Sequence, residues 1–217
     1  RKDKTLIKIC GITRTDQALQ IAKLGVDAIG VISVKESPRY VSADVKTNIF
    51  KELKNNYPQI KRVSVIKNIP FKEIVSNLNQ NPEENVIQLH GDEDPEYCKF
   101  LKKKFPNLSL WKAFRIKTKN DLAKIIFYEN FIDAILLDSW NKETYGGSGV
   151  KIKIENLRGK RFLRPWWLAG GVSIDWLSEI IEDIQPYGID ISSSVEISPG
   201  IKDIKKISEI VKTAKGS

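Results

Sequence analysis

The 217 residues are 41% hydrophobic and 29% charged, which fits a folded globular chain able to bury one sizeable core, as one large α/β domain or two small ones. No stretch approaches the roughly 18 apolar residues of a membrane-spanning helix, and the opening RKDKTLIKIC lacks the apolar stretch of a secretion signal, so a cytoplasmic location is expected. Thirty-six Lys and Arg against 27 Asp and Glu leave a net charge of +9, which favours an anionic partner. The lysines are scattered over outer helix positions such as Lys51, Lys54, Lys102 and Lys205, a solvated surface that gives no reason to expect a nucleic-acid or membrane partner. Cys10 and Cys98 lack the spacing of a disulfide scaffold or zinc site and are expected as reduced thiols. The absence of any Met, even at position 1, points to missing upstream residues and leaves room for a fused partner.

Strand and helix signals alternate along the chain. Leu6 to Cys10 reads as an apolar strand stopping at Gly11, followed by a helix capped by Thr15 with Ala18, Ile21 and Ala22 on one face. Ala28 to Ile32 is a second strand, and Ser42 opens a helix carrying Val45, Ile49 and Leu53. Arg62 to Ile66 and Val86 to Leu89 follow, with a helix after Pro70 (Ile74, Val75, Leu78) and another begun by Pro95 (Phe100, Leu101). Ser109 to Phe114 and Ala134 to Leu137 bracket a helix carrying Leu122, Ile125 and Ile126. Ile152 to Leu157 reads as a short, poorly periodic helix. Phe162 to Ala169 is a seventh strand, Ser173 caps the next helix, Gly188 to Ile191 is the eighth strand, and a helix over Ile204 to Ala214 closes the chain.

Eight such alternations without a linker-like break predict an α/β chain folded as a single (β/α)₈ TIM barrel domain over residues 1–217. The competing doubly wound sheet usually carries GxGxxG after its first strand, and CGITRT is not that motif.

In such a barrel the chemistry belongs to the loops after the strands. Cys10, Arg39, His90, Asp92, Asp138 and Asp190 stand there, with Gly147 and Gly149 in YGGSG, Gly170 and Gly171 after strand seven, and Ser193 and Ser194 in DISSSVE. Glycines after strand seven and serines after strand eight suit a phosphate, because bare N–H groups and small hydroxyls approach its oxygens closely, and Gly147 and Gly149 extend that cradle. Asp138, ending AILLD above an apolar barrel, suits a general acid, and Cys10 near cationic groups suits a thiolate base. Arg39 offers a planar fork for a carboxylate. Each has a plain structural alternative: a buried apolar thiol at Cys10, a capping hydrogen bond at Asp138, a tight turn at Gly170 and Gly171, a surface arginine at Arg39, a satisfied histidine at His90. With one histidine and no clustered cysteines, no metal site is expected.

KICGIT, SPRYVS, VIQLHGDE, ILLDS, YGGSG, LAGGV and DISSSVEISPGIKD, in that order from Ile7 to about Asp203, resemble phosphoribosylanthranilate isomerase of tryptophan biosynthesis. The resemblance implies a (β/α)₈ barrel that converts N-(5′-phosphoribosyl)anthranilate to 1-(2-carboxyphenylamino)-1-deoxyribulose 5-phosphate by an Amadori rearrangement, with no cofactor. It also implies that Asp138 is the general acid, Cys10 the general base and Arg39 the holder of the anthranilate carboxylate. His90 and Asp190 join the substrate contacts, and Gly147, Gly149, Gly170, Gly171, Ser193 and Ser194 hold the phosphate. The expected partner is therefore a phosphorylated small molecule, with fusion to or association with a neighbouring pathway enzyme left open. Two departures stand out: Val150 occupies the usual lysine of GGTGK, and Ser194 the usual glycine of SSG, where it is expected to crowd the phosphate loop. A relative acting on the histidine-pathway aminoaldose is disfavoured by Cys10, where an aspartate would be expected. Competing classes are a non-catalytic phosphate-ligand binder, motivated by the two departures, and a nucleic-acid-binding barrel resting on charge alone.

Overall fold

A computed structural model describes residues 4–138 and 157–216. Eight parallel strands close a barrel in sequence order: β1 (Leu6–Cys10), β2 (Ala28–Ile32), β3 (Lys61–Ile66), β4 (Val86–Leu89), β5 (Ser109–Arg115), β6 (Ala134–Asp138), β7 (Trp166–Ala169) and β8 (Gly188–Ile191). Helices α1 (Thr15–Lys23), α2 (Ala43–Asn56), α3 (Phe71–Leu78), α4 (Pro95–Lys104), α5 (Lys119–Ala123), α6 (Ile174–Glu179) and α7 (Ile204–Lys215) alternate with them. A short antiparallel hairpin, β9 (Glu196–Ser198) and β10 (Ile201–Lys202), follows β8.

Two cores result from the period-2 alternation of the strands. One lies between sheet and helices and holds Ile7, Ile9, Ile29, Val31, Leu137 and Ile189 against Ile21, Ile49, Leu53 and Ile207. The other fills the barrel and holds Cys10, Ala28, Val63, Val65, Trp111, Leu136 and Trp167. Trp111 and Trp167 stack at 5.0 Å between ring centroids, and Gly188 leaves the room that Trp167 occupies. A methyl at Gly188 would collide with the Trp167 ring. Gly188→Ala is therefore expected to lower unfolding free energy by about 1–3 kcal/mol, read as a fall in urea midpoint at unchanged slope. An unchanged midpoint would mean that the ring has space to retreat.

The closure between β1 and β8 is stitched by side chains. Lys8 bonds Asp190 across the strands, Thr13 Oγ1 donates to the Gly200 carbonyl, and Gln17 exchanges hydrogen bonds with the backbone of Lys202 in both directions. Lys215 of α7 pairs with Asp27 at 2.9 Å, and Asp27 accepts from the Ile7 amide.

The structure corrects the sequence expectations in detail. Arg14, not Thr15, is the N-cap of α1. Phe50 joins Ile49 and Leu53 on the buried face of α2, while Val45 is exposed. On α4, Cys98 and Leu101 point inward and Phe100 lies on the flank, edge-on to Phe71. After α5 the chain tightens into a 3₁₀ turn over Lys124–Phe127, and three residues per turn put Ile125 inside and Ile126 outside. Strand seven starts only at Trp166, because Pro165 has no N–H for a ladder. The β9–β10 hairpin was not expected. The helix expected over Ile152 to Leu157 lies outside the described residues but for Leu157 itself.

Candidate active site

The carboxyl ends of the strands surround a cleft of about 440 Å³. Cys10, Arg39, His90, Asp138, Gly170, Gly171, Asp190, Ser193 and Ser194 all line it, so the fold gathers these separately predicted residues at one mouth. Gly147, Gly149 and Val150 lie outside the described residues. Asp92 does not line this cleft but a neighbouring one of about 380 Å³, which shares Lys67, His90 and Arg115 with it.

Cys10 ends β1 with its thiol turned into the barrel, and its register partner on β2 is Gly30. A side chain at Gly30 would collide with the thiol: an added methyl would stand 2.7 Å from Cys10 Sγ and 3.2 Å from Lys8 Nζ. Lys8, two residues earlier on the same inward face, is fully buried and 2.9 Å from Asp190 Oδ2, its register partner on β8. Burial on its own would lower the Lys8 pKa, but Asp190, with Cys10 beside it, raises it above the ordinary lysine value. Burial pushes the Cys10 thiol up, against the opposing pull of Lys8 and Lys202. Asp190 Oδ1 is buried without a hydrogen-bond partner among the described residues.

Across the mouth, Asp138 ends β6 with about a quarter of its side chain exposed, and its Oδ2 is 3.6 Å from His90 Nε2. That contact is too long for a hydrogen bond. Gln88 Nε2 lies 3.2 Å from His90 Nδ1. When the amide donates there, the neutral imidazole carries its proton on Nε2, the side facing Asp138.

Arg39 does not stand free in the cleft. Its Nε and Nη2 grip Glu196 of β9, with Nε 2.9 Å from Oε2, so one fork of the guanidinium is occupied and the end-on Nη1/Nη2 edge has no partner among the described residues. Glu196 also accepts from Lys202 Nζ at 3.0 Å and from the Gly200 amide at 2.9 Å. Burial on its own would raise the Glu196 carboxyl, but the bonds from Arg39, Gly200 and Lys202 hold it below the usual carboxylate range. A depressed carboxylate contributes stability above its unfolded pKa and loses it as pH falls through the folded one. Acid should therefore loosen this knot. Glu196→Gln, which leaves the buried Lys202 and the partly exposed Arg39 short of their counter-charge, is expected to lose about 3 kcal/mol at neutral pH in urea unfolding. The difference from wild type should shrink on acidification, and a constant difference would refute the link.

The loops after β7 and β8 meet at the rim. Gly170 and Gly171 both hold left-handed backbone, with φ +81° and +73°, which turns the chain tightly and suits glycine. Ser193–Val195 form a single 3₁₀ turn, and Ser194 Oγ donates to the Val172 carbonyl, tying the two loops together. Ser194 sits at negative φ, so it adds no backbone strain where the usual glycine is missing. Its hydroxyl proton is committed, which leaves the Ser193 hydroxyl and the backbone amides to meet an anion.

The family model described as N-(5′-phosphoribosyl)anthranilate (PRA) isomerase matches residues 7–213. The chain belongs to that family. Its relatives include the N-(5′-phosphoribosyl)anthranilate isomerases of Rippkaea orientalis, 40% identical over 94% of both chains, and of Thermosynechococcus vestitus, 38% identical over 94% of this chain and 87% of that one. Among solved structures, the phosphoribosylanthranilate isomerase of Thermotoga maritima superposes with a TM-score of 0.84 at 33% identity, covering 98% of this chain and all of that one. A second, in complex with reduced 1-(o-carboxyphenylamino)-1-deoxyribulose 5-phosphate, gives 0.79 at 30% identity with the same coverage.

Within this isomerase barrel, the polar residues that escaped the sequence reading include Lys8, Gln88, Glu196 and Lys202. Lys8 left a signal, a lone cation in the apolar strand LIKIC at the alternate position to Cys10. Gln88 left a fainter one in VIQL. Glu196 and Lys202 left none, since their value lies in partners brought in by the fold.

Proposed function

We propose that this chain is the phosphoribosylanthranilate isomerase of tryptophan biosynthesis and that Asp138 and Cys10 are its acid and base. One observation carries the reading: Asp138 on β6 and Cys10 on β1 line one cleft, and the loops after β7 and β8, the candidate phosphate holders, occupy the arc between them. A phosphoribosyl group anchored on that arc would present opposite sides of its ring to the two groups.

Asp138 gives its proton to the ribose ring oxygen. The C1′–O bond breaks, and the anthranilate nitrogen lone pair closes a C1′=N iminium. The Cys10 thiolate then takes the C2′ proton, and the C–H electron pair forms C1′=C2′ while the iminium electrons return to nitrogen. The resulting enolamine gains a proton at C1′ and loses the one on the C2′ hydroxyl, giving the ketone. His90, 3.2 Å from Gln88 and 3.6 Å from Asp138, stands where it can help to orient the carboxyl group. The open edge of Arg39 suits the anthranilate carboxylate, with Glu196 holding the other edge. Gly170, Gly171 and Ser193 suit the phosphate, Ser194 through its amide, and Gly147 and Gly149, outside the described residues, are assigned to it from the sequence alone. The net charge of +9 suits a substrate bearing two anionic groups.

We read residues 1–217 as one barrel domain acting in the cytoplasm; no helix among the described residues is long and apolar enough to cross a membrane. The deciding experiment is a fluorescence assay of phosphoribosylanthranilate consumption by the purified protein. Saturable turnover is expected, and saturable binding without turnover would overturn the reading in favour of a phosphate-ligand binder.

A further inference from the structure

We propose that Lys8 is the residue that stabilises Cys10 as a thiolate, and that Asp190 anchors its ammonium for that purpose. The inference rests on Cys10 being the base.

Lys8 and Cys10 stand two apart on β1, so both side chains enter the barrel, and Lys8 is completely buried. A buried lysine is costly unless its charge is answered, and Asp190 answers it at 2.9 Å from the neighbouring strand. The bond to Asp190 does not by itself require the ammonium to sit beside a thiol. The cavity kept by Gly30 brings it there: Sγ of Cys10 and Nζ of Lys8 flank the same point above that glycine, and each bears electrostatically on the other.

The other charged groups acting on Cys10 are Asp190 from β8, Lys202 from β10 and Arg39 from the loop after β2. Lys202 and Arg39 are both tied to Glu196, which offsets much of their charge. Among the groups that favour the thiolate, Lys8 acts most strongly, against a burial that disfavours it. Lys8 is thus a positioning residue that works through Cys10, with Asp190 fixing where its ammonium points.

The test is the pH dependence of Cys10 alkylation by iodoacetamide without substrate, followed by peptide mass so that Cys98 is scored separately. Cys98 is itself buried, which pushes its thiol up to about 12. In Lys8→Met the half-maximal pH should rise by at least one unit, with alkylation about tenfold slower at neutral pH, and the acid limb of kcat/KM should move with it. Should the lone buried carboxylate prevent Lys8→Met from folding, Lys8→Met/Asp190→Asn removes both charges together and is expected to show a smaller upward shift, because Asp190 itself disfavours the thiolate but less strongly than Lys8 favours it. A wild-type alkylation profile in a folded variant would overturn the role of Lys8. Full turnover after complete Cys10 alkylation would instead overturn the base assignment beneath it, whatever the profile shows.

Discussion

Asp138→Asn should lower kcat by about 10²- to 10⁴-fold while leaving the urea midpoint close to wild type. The amide keeps the shape of the carboxyl but cannot deliver its proton to a ring oxygen, so ring opening would become the slow step. The fold has little at stake here, since Asp138 is partly exposed and its contact with His90 is a long 3.6 Å. Deuterium at C2′ of the substrate should then leave the variant's rate unchanged, because that bond breaks after the slow step. Turnover at the wild-type rate would remove Asp138 from the mechanism.

Cys10→Ser should produce a loss of similar size, about 10²- to 10⁴-fold in kcat, for a different reason. A serine hydroxyl fits the space beside Gly30 but holds its proton far more tightly than a thiol, so proton removal from C2′ becomes limiting. The same deuterated substrate should now react several-fold more slowly than the protiated one. The isotope effect therefore separates the two roles: present in Cys10→Ser and absent in Asp138→Asn. The opposite pattern would exchange the assignments, and an equal effect in both would argue that neither substitution isolates a single step.

Much of this barrel is legible in the amino-acid sequence. Strands such as AIGVI and AILLD are short apolar runs that only a covered parallel sheet accommodates, and the residue ending each run is carried to the mouth by the same geometry. Cys10 and Asp138 were found that way. Helix faces were less legible, because a 3₁₀ turn after α5 and a flanking ring contact at Phe100 redirect side chains that a steady 3.6-residue period would bury. Least legible was the support around Arg39. Its partner Glu196 is 157 positions away, on a three-residue strand too short to have a period, and nothing local to SPRYVS or SSSVE foretells their meeting. The crowding expected of Ser194 is likewise resolved only in space, by a hydroxyl that turns to Val172.

The stitched boundary between first and last strands also orders events in time. The bond from Lys8 to Asp190 spans 182 positions, so it forms only after nearly the whole chain has wound round and the costly long-range closure is complete. Until then Cys10 lacks the anchored ammonium, and the clasps from Gly200 to the loop after β1 and from Lys202 to the first helix are unmade. On the proposed role of Lys8, a barrel halted before its eighth strand would carry the Cys10 thiol without its anchored ammonium.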